Sequence, residues 1–577
     1  MAHEGRRSGS RRAAGRDPSP PRVVDLLVES LAERGVRYVF GVGGANIEDL
    51  FDALDHTGRS ITGILAKHEF SAATMADCHA RTSGGLGVVA ATSGGGATNL
   101  VPALAEAYAS RVPVLALVGQ PPATLSGTGA FQDTSGAAGA FDAARLFAPI
   151  SRFCTRAADP ASVPELVDRS IDAALGRDGG PGGPAVLLLP KDIQQATVMP
   201  VTPRRVGSSD PVDHGARSRA ADVLSSARDG AGGVLVIAGD GVARADARAE
   251  LGRLATALNA AVAVAPDAKD VFDNGHRRFV GVCGVMGHPA VAARARQAAA
   301  IVLVGTRLPM VARDGLDRYL AGTPVVCLDS EPPFIECAVH LPGRLRRDLA
   351  ALVELLEPSP PNTGRPTPRL GPPELLPMPA HTGPGLGYRE AMGAIEKAIP
   401  DAASVVVDAG NTGAAAIHQL PAPTGGRFVV ALGMGGMGYS FGAGIGAAAA
   451  TGARTYVIAG DGAFYMHGME IHTAVEYDLP VTFIVFNNNA HAMCVTRETL
   501  YFDGNYTYNR FGPTHLAAGV AAMFPTLPAR HVETADELLA ALTDANPTNS
   551  PAFVSVACDP DEVPPFLPFL TTRGAPP

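Results

Sequence analysis

The stretch TYVIAGDGA at 455–463, followed by VTFIVFNNN at 481–489, decides how the chain is read. Each is a β-branched run that stops at small or polar residues, the pattern of a buried parallel strand reaching the edge of its sheet. Asp461 follows the first run, and Asn488 stands 27 residues further on at the end of the second. Neighbouring strands would bring both side chains out at one edge. A carboxylate and an amide oxygen are hard ligands of the kind Mg²⁺ takes, with carbonyl, water and phosphate oxygens completing its octahedron. Gly460 and Gly462 bare main-chain N–H groups at a helix start, where an anion is favoured. The pair reads as a socket for a magnesium diphosphate. The competing reading is a glycine turn with an aspartate cap. A second AGDG at 238–241 illustrates it: 27 residues after Asp240 comes Asp267, behind Pro266 instead of in an asparagine run. The later copy is taken as the socket.

The same alternation of short β-branched runs with Ala/Leu/Glu-rich helical stretches fills the chain, which predicts an α/β protein with parallel sheets between helices. YVFGVGG, ITGILAKHE, LGVVAATSGGG, VPVLALVG and PAVLLLP form a first block, 21–200. GGVLVIAGDG, AAVAVAP, AAIVLVGTR and TPVVCLD form a second, 215–355. SVVVDAG, RFVVALG, TYVIAGDG, VTFIVFNNN and AFVSVACD form a third, 386–577. A segment at 356–385 is too rich in proline for a helix or central strand and reads as the linker. Residues 1–20 carry paired arginines with no apolar run behind them, so they read as a disordered tail and not a leader peptide. Three doubly wound domains are expected.

At 577 residues, 46% of them hydrophobic, the chain exceeds what one core supports. Its net charge of −9 argues against nucleic acid as a partner. The seven cysteines are scattered without a C-x-x-C pair, so neither a disulfide framework nor a zinc site is indicated and a reducing cytoplasm fits. No apolar run reaches the length of a membrane span.

Upstream of Asp461 lies GMGGMGY at 433–439. Consecutive glycines open main-chain carbonyls and amides to close approach by a flat ring, and the two methionines offer an adaptable wedge. Lys67-His68-Glu69 precedes an alanine-rich helix, TSGGGATNL occupies 92–100, and AFQD occupies 130–133. With these in order across separate blocks, residues 21 to 560 resemble the thiamine diphosphate (ThDP)-dependent enzymes of the acetolactate synthase, pyruvate oxidase and 2-oxoacid decarboxylase superfamily.

The resemblance implies that the three domains are pyrimidine-binding, middle and diphosphate-binding. It implies that Asp461, Asn488 and the carbonyl of Ala490 hold Mg²⁺, and that Gly410, Asn411, Gly462 and Ala463 contact the diphosphate. The Gly435 carbonyl would accept from the coenzyme's amino group, and Met437 would bend the coenzyme. Glu69 would share a proton with the aminopyrimidine ring; its bland alternative is a glutamate favoured at a helix N-terminus. In the family that glutamate comes from another subunit, so a homodimer or homotetramer is implied.

Phe131 and Gln132 match a Phe-Gln that faces the substrate in acetolactate synthases; a core phenylalanine beside a surface glutamine is the alternative. Where those enzymes carry a tryptophan, this chain has Arg497, whose forked charge suits a carboxylate or phosphate on the acceptor. An ion pair with Glu498 or Asp503 is the competing use. His491, just past the asparagine run, is placed to shuttle protons or else is simply solvated. Relatives differ in whether the middle domain holds FAD, another nucleotide or nothing; the region 267–289 resembles the flavin-binding versions only loosely, so FAD stays open. The expectation is a Mg²⁺- and ThDP-dependent carboligase that decarboxylates a 2-oxoacid, pyruvate first, and transfers the two-carbon unit to a carbonyl acceptor. Non-ligating decarboxylation, flavin-linked oxidation and an inactive coenzyme-binding partner subunit are the alternatives.

Overall fold

A computed structural model describes residues 20–56, 61–198, 213–356, 373–505 and 508–574. The expected tail lies outside them except for Pro20, as do residues 357–372 of the proline-rich segment. Residues 373–387 carry no helix or strand, and regular structure resumes with the helix Tyr388–Ala398.

Three six-stranded sheets follow one another along the chain, every pairing parallel. The first holds β1 (Tyr38–Gly41), β2 (Thr62–Leu65), β3 (Gly87–Ala91), β4 (Val114–Gln120), β5 (Phe153–Arg156) and β6 (Pro184–Pro190), in the order β2-β1-β3-β4-β6-β5. The middle sheet holds β7 (Val234–Ala238), β8 (Ala261–Val264), β9 (Phe279–Val282), β10 (Ala300–Val304), β11 (Val325–Leu328) and β12 (Val339–Leu341), in the order β12-β11-β10-β7-β8-β9. The third holds β13 (Ser404–Val407), β14 (Arg427–Val430), β15 (Thr455–Gly460), β16 (Val481–Asn487), β17 (Ala529–Val532) and β18 (Ala552–Ala557), in the order β14-β13-β15-β16-β18-β17. The first and third sheets thus repeat one strand order, while the middle follows another.

Helices cover both faces, so β4, β6 and β16 are buried along their whole length and read as unbroken apolar runs. The structure adds four strands that the apolar runs did not indicate: β5, β9, β12 and β17. All four lie at a sheet edge. Strands β5 and β17 are half-buried or exposed along most of their length, and Gly281 at φ +113° interrupts β9.

The first and third domains of the chain meet through the helices Glu69–Ser83 and Tyr439–Thr451. Glycine makes the approach possible: a Cβ on Gly442 would stand 2.5 Å from the Ser71 carbonyl oxygen, and one on Gly446 2.1 Å from that of Met75. The small residues of FGAGIGAAAA are therefore packing residues, as distinct from the exposed glycines upstream of them. No helix among the described residues is long and apolar enough to cross a membrane.

Candidate active site

In a doubly wound sheet, ligands lie outside the carboxyl ends of the strands where the strand order reverses. In the third sheet that point falls between β13 and β15, and the chain leaves these strands through Asp408-Ala409-Gly410-Asn411 and Gly460-Asp461-Gly462. Pairing of β15 with β16 aligns Gly460 with Phe486, so Asp461 and Asn488 emerge side by side.

Asp461 is buried at 1% exposure and opens the helix Asp461–His467. Its Oδ1 accepts the N–H of Gly462 at 2.8 Å and its Oδ2 that of Asn489 at 2.5 Å. No lysine, arginine or histidine pairs with it among the described residues. Burial pushes its carboxyl up to about 6, against the pull of the N–H groups of Asn489, Gly462, Ala490 and Asn488. Asn488 is buried too, and its Oδ1 accepts the Ala490 N–H at 3.0 Å. A buried carboxylate beside a buried amide oxygen, with no positive side chain paired to it among the described residues, is the chemistry that suits a hard divalent cation. No cluster of three His, Cys, Asp or Glu residues offers a metal site among the described residues.

The earlier copy differs in this respect. Asp240 is ion-paired with Arg244, and the Arg81 and Arg427 charges add to hold its carboxyl below the usual range despite burial. The turn is closed as well: Gly241 N–H donates to Gly305 O at 3.0 Å and Val242 N–H to Gly239 O at 3.0 Å, leaving neither amide for an anion.

Gly410 takes φ +105° and opens the helix Asn411–Gln419. Asn411 is buried; its Nδ2 reaches Thr496 Oγ1 at 3.4 Å while its Oδ1 has no partner. Ala463 is fully buried behind the turn. His491 packs on Gly462, where a Cβ would meet its Nδ1 at 2.5 Å and Met437 Cε at 3.3 Å. Its ring stands edge-on to Phe511 at 4.7 Å, its Nδ1 is unpartnered, and burial draws its pKa down. Gly433, Met434, Gly435 and Gly436 are exposed, with Gly435 at φ +65°. Asp408, which the spacing argument did not single out, accepts the N–H groups of Gly438 at 3.0 Å and Ser440 at 2.9 Å.

A second group gathers at the carboxyl edge of the first sheet. Glu69 begins the helix Glu69–Ser83, and its Oε2 accepts from Asn99 Nδ2 at 2.9 Å. A Cβ on Gly96 would stand 3.0 Å from Oε1, so the glycine run after β3 makes room for the carboxyl. Thr92 Oγ1 donates to Gln132 Oε1 at 3.3 Å, and Gln132 is half-buried against Gly94. Phe131 is 78% exposed, which removes the core-phenylalanine reading. Arg497 is exposed on the helix Ala492–Tyr501 and forms no ion pair among the described residues; Glu498 beside it is buried and accepts from Asn509 instead.

The structure thus assembles Asp461, Asn488, Ala490, Gly410, Asn411, Gly462, Met437 and His491 at one sheet edge, and Glu69 with Gln132 at another. No hydrogen bond or ion pair joins Glu69 to Asp461, Asn488 or Asn411 within the chain, among the described residues.

Family models match each of the three domains. Residues 21–139 match the model described as "Thiamine pyrophosphate enzyme, N-terminal TPP binding domain", 218–354 the central domain and 408–556 the C-terminal TPP binding domain. The "Probable acetolactate synthase large subunit" of Methanocaldococcus jannaschii is 28% identical over 573 residues, covering 94% of this chain and 93% of that protein. The "Acetolactate synthase large subunit" of Parasynechococcus marenigrum is 30% identical, covering 87% and 82%. The "Acetolactate synthase isozyme 3 large subunit" of Escherichia coli is 27% identical, covering 93% and 95%. The chain belongs to the thiamine pyrophosphate enzymes.

Proposed function

We propose that the protein is a Mg²⁺- and ThDP-dependent carboligase of the acetolactate synthase type, decarboxylating a 2-oxoacid, pyruvate first, and joining the remaining two carbons to a carbonyl acceptor. The observation that carries this reading is the buried carboxylate of Asp461, with no lysine, arginine or histidine paired to it among the described residues, beside Asn488 at the strand-order reversal of the third sheet. Asp461, Asn488 and the Ala490 carbonyl would hold the cation, and Gly410, Asn411, Gly462 and Ala463 the diphosphate. When bound, ThDP supplies the carbon nucleophile and takes up the electron pair released with CO₂. The rest falls to the chain. Asn99 fixes one oxygen of Glu69 and leaves the other to hold the proton shared with the pyrimidine. Met437, lying by the Gly462 turn, would bend the coenzyme, and the Gly435 carbonyl would accept from its amino group. His491 moves protons at the reacting oxygen; Gln132 and Phe131 border the substrate. Arg497, exposed and in no ion pair among the described residues, takes an acceptor that carries a carboxylate or phosphate.

Glu69 and Asp461 do not meet within one chain, which supports a homo-oligomer in which a second copy brings Glu69 to the cation site. Exposed Phe131, Met434, Tyr465, Met466 and Met469 supply apolar surface for that contact. Seven free cysteines support a reducing cytoplasm. A flavin is not part of the reading. The cavity of about 360 Å³ at the junction of the domains is lined by Arg111, Arg152, Arg244 and Arg307. Arg111 and Arg244 are already ion-paired, Arg152 stacks on Tyr108, and Arg307 stacks on Phe334. These arginines are engaged with protein groups, and the reading assigns no flavin to the cavity. The test is mass spectrometry of products from labelled pyruvate with acceptors that include phosphorylated and dicarboxylic carbonyl compounds. A product enlarged by two carbons is expected; aldehyde alone would overturn the ligation reading.

A further inference from the structure

Glu106 belongs to the first domain, on the helix Val101–Ala109, and its side chain is 4% exposed. Both of its oxygens accept from outside its own domain. Oε1 takes the N–H of Gly433 at 3.1 Å and Oε2 that of Met434 at 2.5 Å, the first two residues of the glycine-rich loop. Ser110 Oγ donates to Oε1 at 2.7 Å, and Arg81 reaches it at 3.4 Å. Arg81 in turn holds Asp77 at 2.6 Å, and Asp77 receives the hydroxyl of Tyr439, the residue that follows the loop. Asp77 and Arg81 are as deeply buried as Glu106 and lie on the helix that begins with Glu69.

The loop is therefore tied at both ends by carboxylates. Glu106 holds Gly433 and Met434; Asp408 holds Gly438 and Ser440. Among the described residues, no such tie reaches Gly435, Gly436 or Met437 between them. Glycine has the most backbone freedom to lose, about 1–2 kcal/mol per residue on ordering, so an untied loop of this composition would sample many shapes. A loop tied beforehand binds its ligand without that ordering cost, and affinity falls in proportion to the competent fraction once the tie is cut.

We propose that Glu106 is a positioning residue for coenzyme binding, acting through Gly433 and Met434 to set the loop that presents the Gly435 carbonyl and Met437. The inference rests on the ThDP reading above. Full-length Glu106→Ala and Glu106→Gln proteins are compared with wild type in two measurements. Amide hydrogen exchange, followed by mass spectrometry on the coenzyme-free proteins, reads the tie itself. A thermal-shift titration with ThDP and Mg²⁺ reads affinity. In Glu106→Ala, exchange rises in peptides covering 431–438 while β14 and the helix Tyr439–Thr451 stay protected, and the ThDP dissociation constant rises at least tenfold. Glu106→Gln keeps one acceptor oxygen and falls between.

Unchanged exchange in the loop, or faster exchange with ThDP affinity within twofold of wild type, overturns the proposal. Loss of protection across the whole third domain in both variants also overturns it, since Glu106 would then be a fold residue only. If wild type itself gives no response to ThDP with Mg²⁺, the functional reading falls and takes this one with it; wild-type binding matched by Glu106→Ala sinks this one alone.

Discussion

Replacing Lys269 by methionine tests the electrostatics of the junction between the middle and third domains. Lys269 is 3% exposed, and its Nζ donates to the carbonyls of Ala416 and Leu420, at the far end of the helix Asn411–Gln419. The same ammonium stands 4.7 Å from the Phe428 ring centre. Burial pulls its pKa from 10.5 down to about 7, with the Glu396 carboxylate opposing. His288 and His418 also face it, but burial holds them at about 3 and about 4, so neither titrates in the alkaline range.

The folded value lies below the unfolded one, which fixes the sign. Below about pH 7 the buried charge costs about 5 kcal/mol; as pH climbs toward 10.5 the unfolded chain carries the extra proton, and stability rises by about 1.4 kcal/mol per pH unit. Lys269→Met removes that dependence and forfeits about 1–3 kcal/mol of hydrogen bonding to the two carbonyls. The variant is expected to match or exceed wild type near neutrality, and wild type to gain about 3 kcal/mol on it between about pH 7.5 and 9.5. Thermal unfolding of both proteins by far-ultraviolet circular dichroism, at matched ionic strength, reads this as a Tm difference that moves by several degrees. A difference that stays flat across the window would refute the reasoning.

Three further outcomes follow from the site and its packing. Glu69→Gln keeps thermal stabilisation by ThDP with Mg²⁺ but loses CO₂ release by about 10²- to 10⁴-fold in a coupled assay. Asp461→Ala loses the stabilisation that wild type gains from ThDP with Mg²⁺, about 2.7 kcal/mol at a hundredfold excess over Kd; an equal shift in the variant would dismiss Asp461 as a ligand. Gly446→Val drives a side chain into the Met75 carbonyl, where even a Cβ would stand 2.1 Å away, so Tm drops by an amount equivalent to about 1–3 kcal/mol or more. An unchanged melting curve would contradict the close helix crossing.

The central strands were legible because a strand buried on both faces must be apolar along its length, as VTFIVFN and PAVLLLP are. Edge strands escape that demand. FCTR in β5 and ARHV in β17 mix charged and apolar residues because one side meets solvent. Within the site, spacing located Asp461 and Asn488, since periodicity marks where strands stop. Counter-charge was legible only in part: Asp240 and Asp461 sit in the same AGDG string, Arg244 stands one helical turn after the first where Tyr465 follows the second, and the fold adds Arg81 and Arg427 from other elements. Asp408, Asn99 and Glu106 went unseen for a related reason, because their partners lie on other elements, up to 328 residues away in the case of Glu106 and Met434.

The shared strand order of the first and third sheets gives the protein two matching reversal points, between β1 and β3 and between β13 and β15. What distinguishes them is confined to the connections leaving the strands: Glu69, Thr92 and Asn99 furnish one, Asp408, Asn411 and Asp461 the other. Differences between the two edges thus sit in segments laid over one repeated strand order, so exchanging such segments alters the side chains at an edge and leaves the order of the strands beneath as it is.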